Sequence, residues 1–431
     1  MIKTDVAKKN SEKTKSYIKA VSIVLLSASM LGVFLEERLG VILGPLMAVI
    51  FVYLYFNDCS ELVAAIIVVA NEALGTIALG KISFAYLLLG LALIKMGQSK
   101  KIRVDSLVFV LVSAALLLHL YIVDFLSIRN VIYSLCFIVA LAIMDKSEQK
   151  RKMFFFGVAL TVVLIAIHTC ITGGVEFFDV ETGSYNYVRK GIIAVGKGDS
   201  NYSCLLLNIG IVCLWSIKKI PMWIKGVLTI PILYSISITL STSGLLALMI
   251  VLVLGILGQE KKVKAVGTLL IVLLVIVIIF NIYVQLPPEY RLIQVDAYIE
   301  RMIGKIDALG AGNIDEVTTG RTNLAEEFMS YFWSQPAPSL FLGGNSLTLY
   351  NGGAVPHNTY IGYLMQTGLI GTLIFFGFII LKVTKQFIAL KKFPALKPSI
   401  LLKIVALFFA LNISLYQGSL WSMWMYILIL L

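Results

Sequence analysis

Long apolar runs separated by short polar breaks dominate the chain. Reading from one break to the next gives fourteen runs, near 17–34, 40–56, 61–79, 82–97, 104–123, 128–144, 153–171, 200–217, 222–240, 243–258, 263–285, 359–382, 399–415 and 418–431. An α-helix needs about 20 apolar residues to cross a hydrocarbon core. The pattern therefore predicts an all-α, polytopic membrane protein with about 12–14 transmembrane helices. The range reflects the last run, which is short, and residues 222–258, which read as two spans or as one span plus a re-entrant piece. The predicted units are a cytoplasmic basic tail at 1–16 and a bundle of about eleven helices at 17–285 with an outer loop at 172–199. A large extracytoplasmic loop at 286–358 and C-terminal transmembrane helices at 359–431 follow.

Composition agrees with this division. Apolar residues make up 59% of the 431 and charged residues only 14%, against roughly 25% charged in a soluble domain. The formal charge of +12 fits a nucleic-acid binder or a membrane protein with basic inner loops, and its distribution decides. With the N-terminus inside, 26 of the 36 Lys and Arg fall on the inner side and 10 on the outer, the positive-inside asymmetry of a membrane protein. Nucleic acid is not an expected partner; the lipid bilayer is. The basic tail runs into the first span without a small-residue cleavage site, so it reads as an anchor. The five cysteines have neither metal-ligand nor disulfide-framework spacing, and neither metal nor cofactor is expected.

Polar residues inside spans are costly, which makes each a candidate for function. Glu72, His119, His168, Ser241, Thr242 and Ser243 fall in the outer halves of their predicted helices, a shared depth that predicts a cavity open to the outside. Helix–helix hydrogen bonding is the competing role for each. Glu36-Glu37 reads as a solvated turn. Gly191 to Gly198 has the outline of a phosphate-binding loop but carries Gly198 where Ser or Thr must hold magnesium, which excludes a nucleotide-driven pump. In the large loop, apolar residues at helical spacing over Tyr290–Leu309 predict an amphipathic helix on the membrane surface. Arg321–Trp333 predicts a second helix.

His357-Asn358, then nine residues, Gly368, two residues and Gly371 form a pattern that resembles the signature of the O-antigen ligase and O-antigen polymerase family of bacterial envelope enzymes. Gly320-Arg321 followed by Gly343-Gly344 resembles the arginine-bearing half of that family's large loop. Arg189 with Asp199-Ser200-Asn201-Tyr202 resembles the segment before a middle helix. One departure is Thr242-Ser243-Gly244, where the family often has Ser-Arg-Gly.

The resemblance implies a GT-C-like membrane glycosyltransferase. Such an enzyme moves an oligosaccharide from undecaprenyl diphosphate to an acceptor hydroxyl at the outer face of the bacterial cytoplasmic membrane. His357 would be the general base, since imidazole titrates near neutrality. Arg321 and Arg189 would hold the diphosphates, because the guanidinium fork pairs with phosphate oxygens. Arg291 and Arg301 are further substrate-binding candidates, with lipid headgroups as the competing contact, and Asn201 joins them through its segment. Asn358 is expected to cap the helix at Thr359 and turn its N–H groups toward an anion, and Gly362, Gly368 and Gly371 to permit close helix packing. The expected product is a capsular, exo- or O-polysaccharide, with a flippase and a chain-length regulator as implied partner proteins. The alternatives are a ligase that passes the finished glycan to lipid A core, and a lipid-linked oligosaccharide transporter.

Overall fold

A computed structural model describes residues 2–70, 78–79, 82–83, 104–122, 128, 131, 135, 139, 148–173, 175–177, 189–191, 200–257, 262–291, 293–318, 320–344, 356–390 and 397–411. Residues 84–97 of the predicted span at 82–97, most of the span at 128–144, the whole of that at 418–431, and Glu72 lie outside these residues.

The described chain is helical apart from two short antiparallel ladders, Ala78–Leu79 with Ile82–Ser83 and Val175–Phe177 with Arg189–Gly191. Helix α1 (Ile2–Leu35) leads through a turn of 3-10 helix (Glu37–Leu39) to α2 (Gly40–Leu54), and α3 spans Ser60–Val69. Then come α4 (Val104–Ile122), α5 (Glu148–Thr172), α6 (Ser200–Ser216), α7 (Met222–Ile238), α8 (Thr242–Leu257) and α9 (Lys262–Gln285). The predicted loop holds α10 (Ile293–Gly310), α11 (Ile314–Thr318), α12 (Arg321–Trp333) and α13 (Ala337–Leu342), and α14 (Thr359–Ala389) and α15 (Lys397–Phe409) complete the order. The predicted 1–16 tail is thus helical from Ile2 and continuous with the first span.

Among the described residues, four helical stretches are long and apolar enough to cross a membrane: Thr14–Leu35, Gly40–Ile67, Glu148–Thr172 and Thr359–Ala389. Large apolar side chains remain exposed on α2 (Val41, Ile42, Val49), α7 (Trp223, Ile230), α9 (Ile271, Leu274, Ile279) and α14 (Leu373, Ile380). Water would penalise so large an apolar surface, whereas lipid matches it. The fold is that of an all-α membrane protein.

Two of the four stretches contain a break. Between α2 and α3 the backbone leaves helical geometry at Asn57 and Asp58, the latter left-handed at φ 59°, a conformation Asp tolerates better than most residues. Past the break, Glu61 accepts a hydrogen bond from Lys150 at 3.1 Å and Gly157 lies against Leu62 and Ala65. Helix α3 therefore runs parallel to α5, starting from the lysine-rich end. The predicted division between runs 40–56 and 61–79 falls at this break.

The second break corrects an expectation. The run 359–382 reads as one span, but Gly368 adopts φ 63°, ψ −172° and the chain turns back on itself. The rings of Tyr363 and Phe375 stack at 4.5 Å, and those of Tyr360 and Phe376 lie 4.7 Å apart. In a straight helix, residues twelve and sixteen apart would be separated by about 18 and 24 Å. Helix α14 is thus a hairpin, with a short leg over 359–367 and a long leg over 369–389. Gly368 is its turn, and the close packing expected of it is met there against Phe341 and Gly343.

Helix α6 is buried nearly all round, as befits a helix apolar on every side. It packs against α5, α7, α8 and α15, and α5 in turn contacts α1, α3 and α7. Glycines bring these axes together: a Cβ at Gly210 of α6 would lie 2.3 Å from Val162 of α5, and one at Gly244 of α8 would lie 2.4 Å from Cys204 of α6.

Candidate functional site

Three connections place polar groups at the end of the bundle opposite Lys150 and Lys218-Lys219. The first is the turn between α7 and α8, where Leu240 is left-handed at φ 49°. A leucine holds that conformation only under constraint from its surroundings, and here it is buried. The turn lets Ser241 cap α8: its Oγ accepts from the Gly244 N–H at 3.1 Å and donates to Asn201 Oδ1 at 2.7 Å. The start of α6 and the start of α8 are thereby locked together.

The second connection is Pro356-His357-Asn358, ahead of the short leg of α14. Asn358 Oδ1 accepts from the N–H groups of Tyr360 and Ile361 at 2.9 and 3.3 Å, the expected cap. The Thr359 N–H goes to the Ala410 carbonyl at 2.7 Å and the Gly362 N–H to the Asn358 carbonyl at 3.0 Å. All four first-turn donors have protein acceptors, so the expectation that this helix end faces an anion is corrected. Tyr360 Oη donates to the Leu407 carbonyl at 2.9 Å, which ties the leg to the end of α15.

The third is the α10–α12 segment. Phe328 and Phe332 of α12 are fully buried, so this part of the predicted loop is built into the core. Arg301 and Lys305 stand one turn apart on α10, and Lys305 Nζ donates to the Val317 carbonyl of α11 at 2.6 Å. Thr318 and Thr322, on either side of Arg321, share a hydroxyl hydrogen bond of 2.8 Å.

These pieces enclose a cavity of about 560 Å³. Asn201, Arg301, Arg321, His357 and Asn358 line it, together with Ser200, Ser241, Thr242, Ser243, Lys305, Thr318 and Thr322. Leu246, Ile306, Leu309, Phe408 and Leu411 form an apolar side, and of these Leu246, Ile306, Leu309 and Leu411 are also exposed. No Asp or Glu is among the described lining residues. Three cations beside hydroxyl and amide groups suit a multiply charged anion, and the apolar side suits an attached hydrocarbon. His357 is exposed, so it stands at the rim, where a proton can pass to water.

Five of the seven expected site residues therefore meet. Arg291 does not: its guanidinium donates to the carbonyls of Leu286, at 2.8 Å, and Val284, closing the end of α9 where helix carbonyls lack partners. Arg189 lies in a strand paired with Phe177, and its side chain is outside the described residues, as are those of His119 and the stretch 192–199. His168 packs edge-on against Phe34 at 6.2 Å and is no lining residue, whereas Ser241, Thr242 and Ser243 are. Glu36 is exposed beside Arg38, in keeping with a solvated turn. Lys305 was not singled out, although its i+4 spacing from Arg301 puts the two on one helix face.

Comparisons with protein-family models, with curated proteins and with solved structures find no match.

Proposed function

We propose that the protein is a membrane glycosyltransferase of GT-C-like architecture that polymerises lipid-linked oligosaccharide units into a bacterial surface polysaccharide at the outer face of the membrane. The donor is a glycan on undecaprenyl diphosphate, and the acceptor is a hydroxyl of the next lipid-linked unit. One observation carries the reading: His357 of the His-Asn motif shares a single cavity with Arg301 and Arg321. A base for the acceptor hydroxyl and cations for a departing diphosphate are what this transfer requires. The donor bond is already activated, so the reading needs no nucleotide.

His357 takes the acceptor proton, while the arginines hold the diphosphate through paired charge-assisted hydrogen bonds. The apolar side formed by Leu246, Ile306 and Leu309 accommodates the first isoprene units. Loss of a general base slows such a step by about 10²–10⁴-fold. A His357→Ala strain with normal membrane levels of the protein should therefore accumulate single repeat units on carrier at the outer face. Accumulation at the inner face would sink the enzyme reading in favour of transport, and long chains stranded on carrier would indicate a ligase. Arg321→Ala should abolish polymer, and Arg321→Lys should restore only part of it, because an ammonium cannot reproduce the fork.

A further inference from the structure

Lys305 is a cavity cation that the His-Asn motif does not explain. It stands four residues after Arg301 on α10, and both line the cavity. Like charges at this spacing on a helix repel, so the arrangement opposes helix stability and favours an anion between the two side chains. The Lys305 ammonium reaches the Val317 carbonyl on α11, next to Thr318 and Thr322 on the cavity wall. Thr242 Oγ1, also of the lining, is buried with no hydrogen-bond partner among the described residues, a hydroxyl suited to a ligand oxygen.

We propose that Lys305 is the cation that follows the departing phosphate, and that it makes the cavity prefer the free end of a polyprenyl diphosphate over the glycosylated diester. This inference rests on the glycosyl-transfer reading. In that transfer the acceptor oxygen bonds to the anomeric carbon, and the bond from that carbon to the phosphate oxygen breaks with its electron pair staying on phosphate. The acceptor proton passes to His357 and then to water. The phosphate that loses the sugar goes from one negative charge to about 1.5–2 at neutral pH. Only an interaction that strengthens along this path accelerates it. An ammonium on a flexible stem, with three rotatable donors, can move with the shifting charge, whereas a guanidinium fork fits one fixed geometry. Held at the Val317 carbonyl, Lys305 can swing to the phosphate without a change in the backbone. The same preference makes the released carrier a competitive inhibitor.

Calorimetry on the purified full-length protein tests this with two probes, geranyl diphosphate and its terminal methyl ester, which lacks the extra charge. The wild type should bind geranyl diphosphate roughly tenfold more tightly than the ester, the effect of one charge-assisted hydrogen bond. Lys305→Gln should weaken geranyl diphosphate by roughly tenfold, the effect of one charge-assisted hydrogen bond, and leave the ester nearly unchanged; Lys305→Arg should recover part of the loss. Equal loss for both probes would mean that Lys305 only holds α10 to α11, and no loss for either would mean that it does not meet the phosphate. Each of these overturns the proposal while leaving the transfer reading intact. Binding of neither probe by the wild type would overturn both.

Discussion

Asn358 shows how a single side chain sets the reach of its neighbour. Its oxygen closes two N–H groups of the short leg, which fixes the direction in which the chain enters α14 and with it the position of His357. Asn358→Ala should cost about 1 kcal/mol in thermal unfolding, as for other N-caps, and should lower polymer formation further by loosening His357. Asn358→Asp keeps the acceptor and should retain most of both. If the Asp variant were stable but as inactive as the Ala variant, the amide itself would be meeting substrate. At this scale much was legible: a polar triplet at 241–243 inside an apolar region, and a histidine in a fixed motif, both point at the cavity. Arg291 misled, because an arginine after a helix reads the same whether it binds a ligand or closes the helix with its own guanidinium. Nothing in the sequence marks Leu240 as left-handed, since packing around the turn imposes that conformation.

At the level of elements, the hairpin of α14 depends on two glycines from different segments. Gly343 at φ 84° and Gly368 at φ 63° meet backbone to backbone: a Cβ on Gly368 would fall 2.5 Å from the Phe341 carbonyl, and one on Gly343 would fall 2.1 Å from the Gln366 carbonyl oxygen. The Gly344 N–H donates to that same oxygen at 2.9 Å. Gly368→Ala should therefore be among the most damaging conservative changes, combining left-handed strain with a clash that no side-chain rotation relieves. Loss of the monodisperse protein peak in detergent would show it, and a normal yield would mean that the two segments separate easily. The glycine was visible in the motif but its effect was not: both legs are apolar and helical, so local pattern joins them, and only ring contacts between residues twelve and sixteen apart reveal the reversal. The Glu61–Lys150 pair makes a second case. With side chains 4% and 21% exposed, removal of one partner strands a charge. Lys150→Met should thus destabilise the protein by about 3 kcal/mol, and adding Glu61→Gln should recover most of it. Additive losses in the double variant would mean that the two groups do not act as a pair.

Across the whole molecule, the cationic cavity and the lysine-rich turns occupy opposite ends of one bundle centred on α5 and α6. The placement of charges along the chain predicts which end is which. In a cysteine-free background, Ser334→Cys after α12 should react with an impermeant maleimide in intact cells, and Lys219→Cys only after permeabilisation. The reverse pattern would invert the protein and place the cavity on the wrong side for a surface polysaccharide. Membrane class followed from hydropathy because lipid exposure demands long apolar runs. The enclosure of the cavity did not, because it depends on α12 burying Phe328 and Phe332 within what reads as an outer loop. The hydrogen bonds from Thr359 to Ala410 and from Tyr360 to Leu407 also carry an implication for biogenesis. His357 leaves the ribosome well before α15 exists, and at typical synthesis rates the wait is roughly three to ten seconds. Through that interval the short leg lacks its anchoring carbonyls, so His357 is seated only when the chain as far as Ala410 has been made and has returned to the bundle.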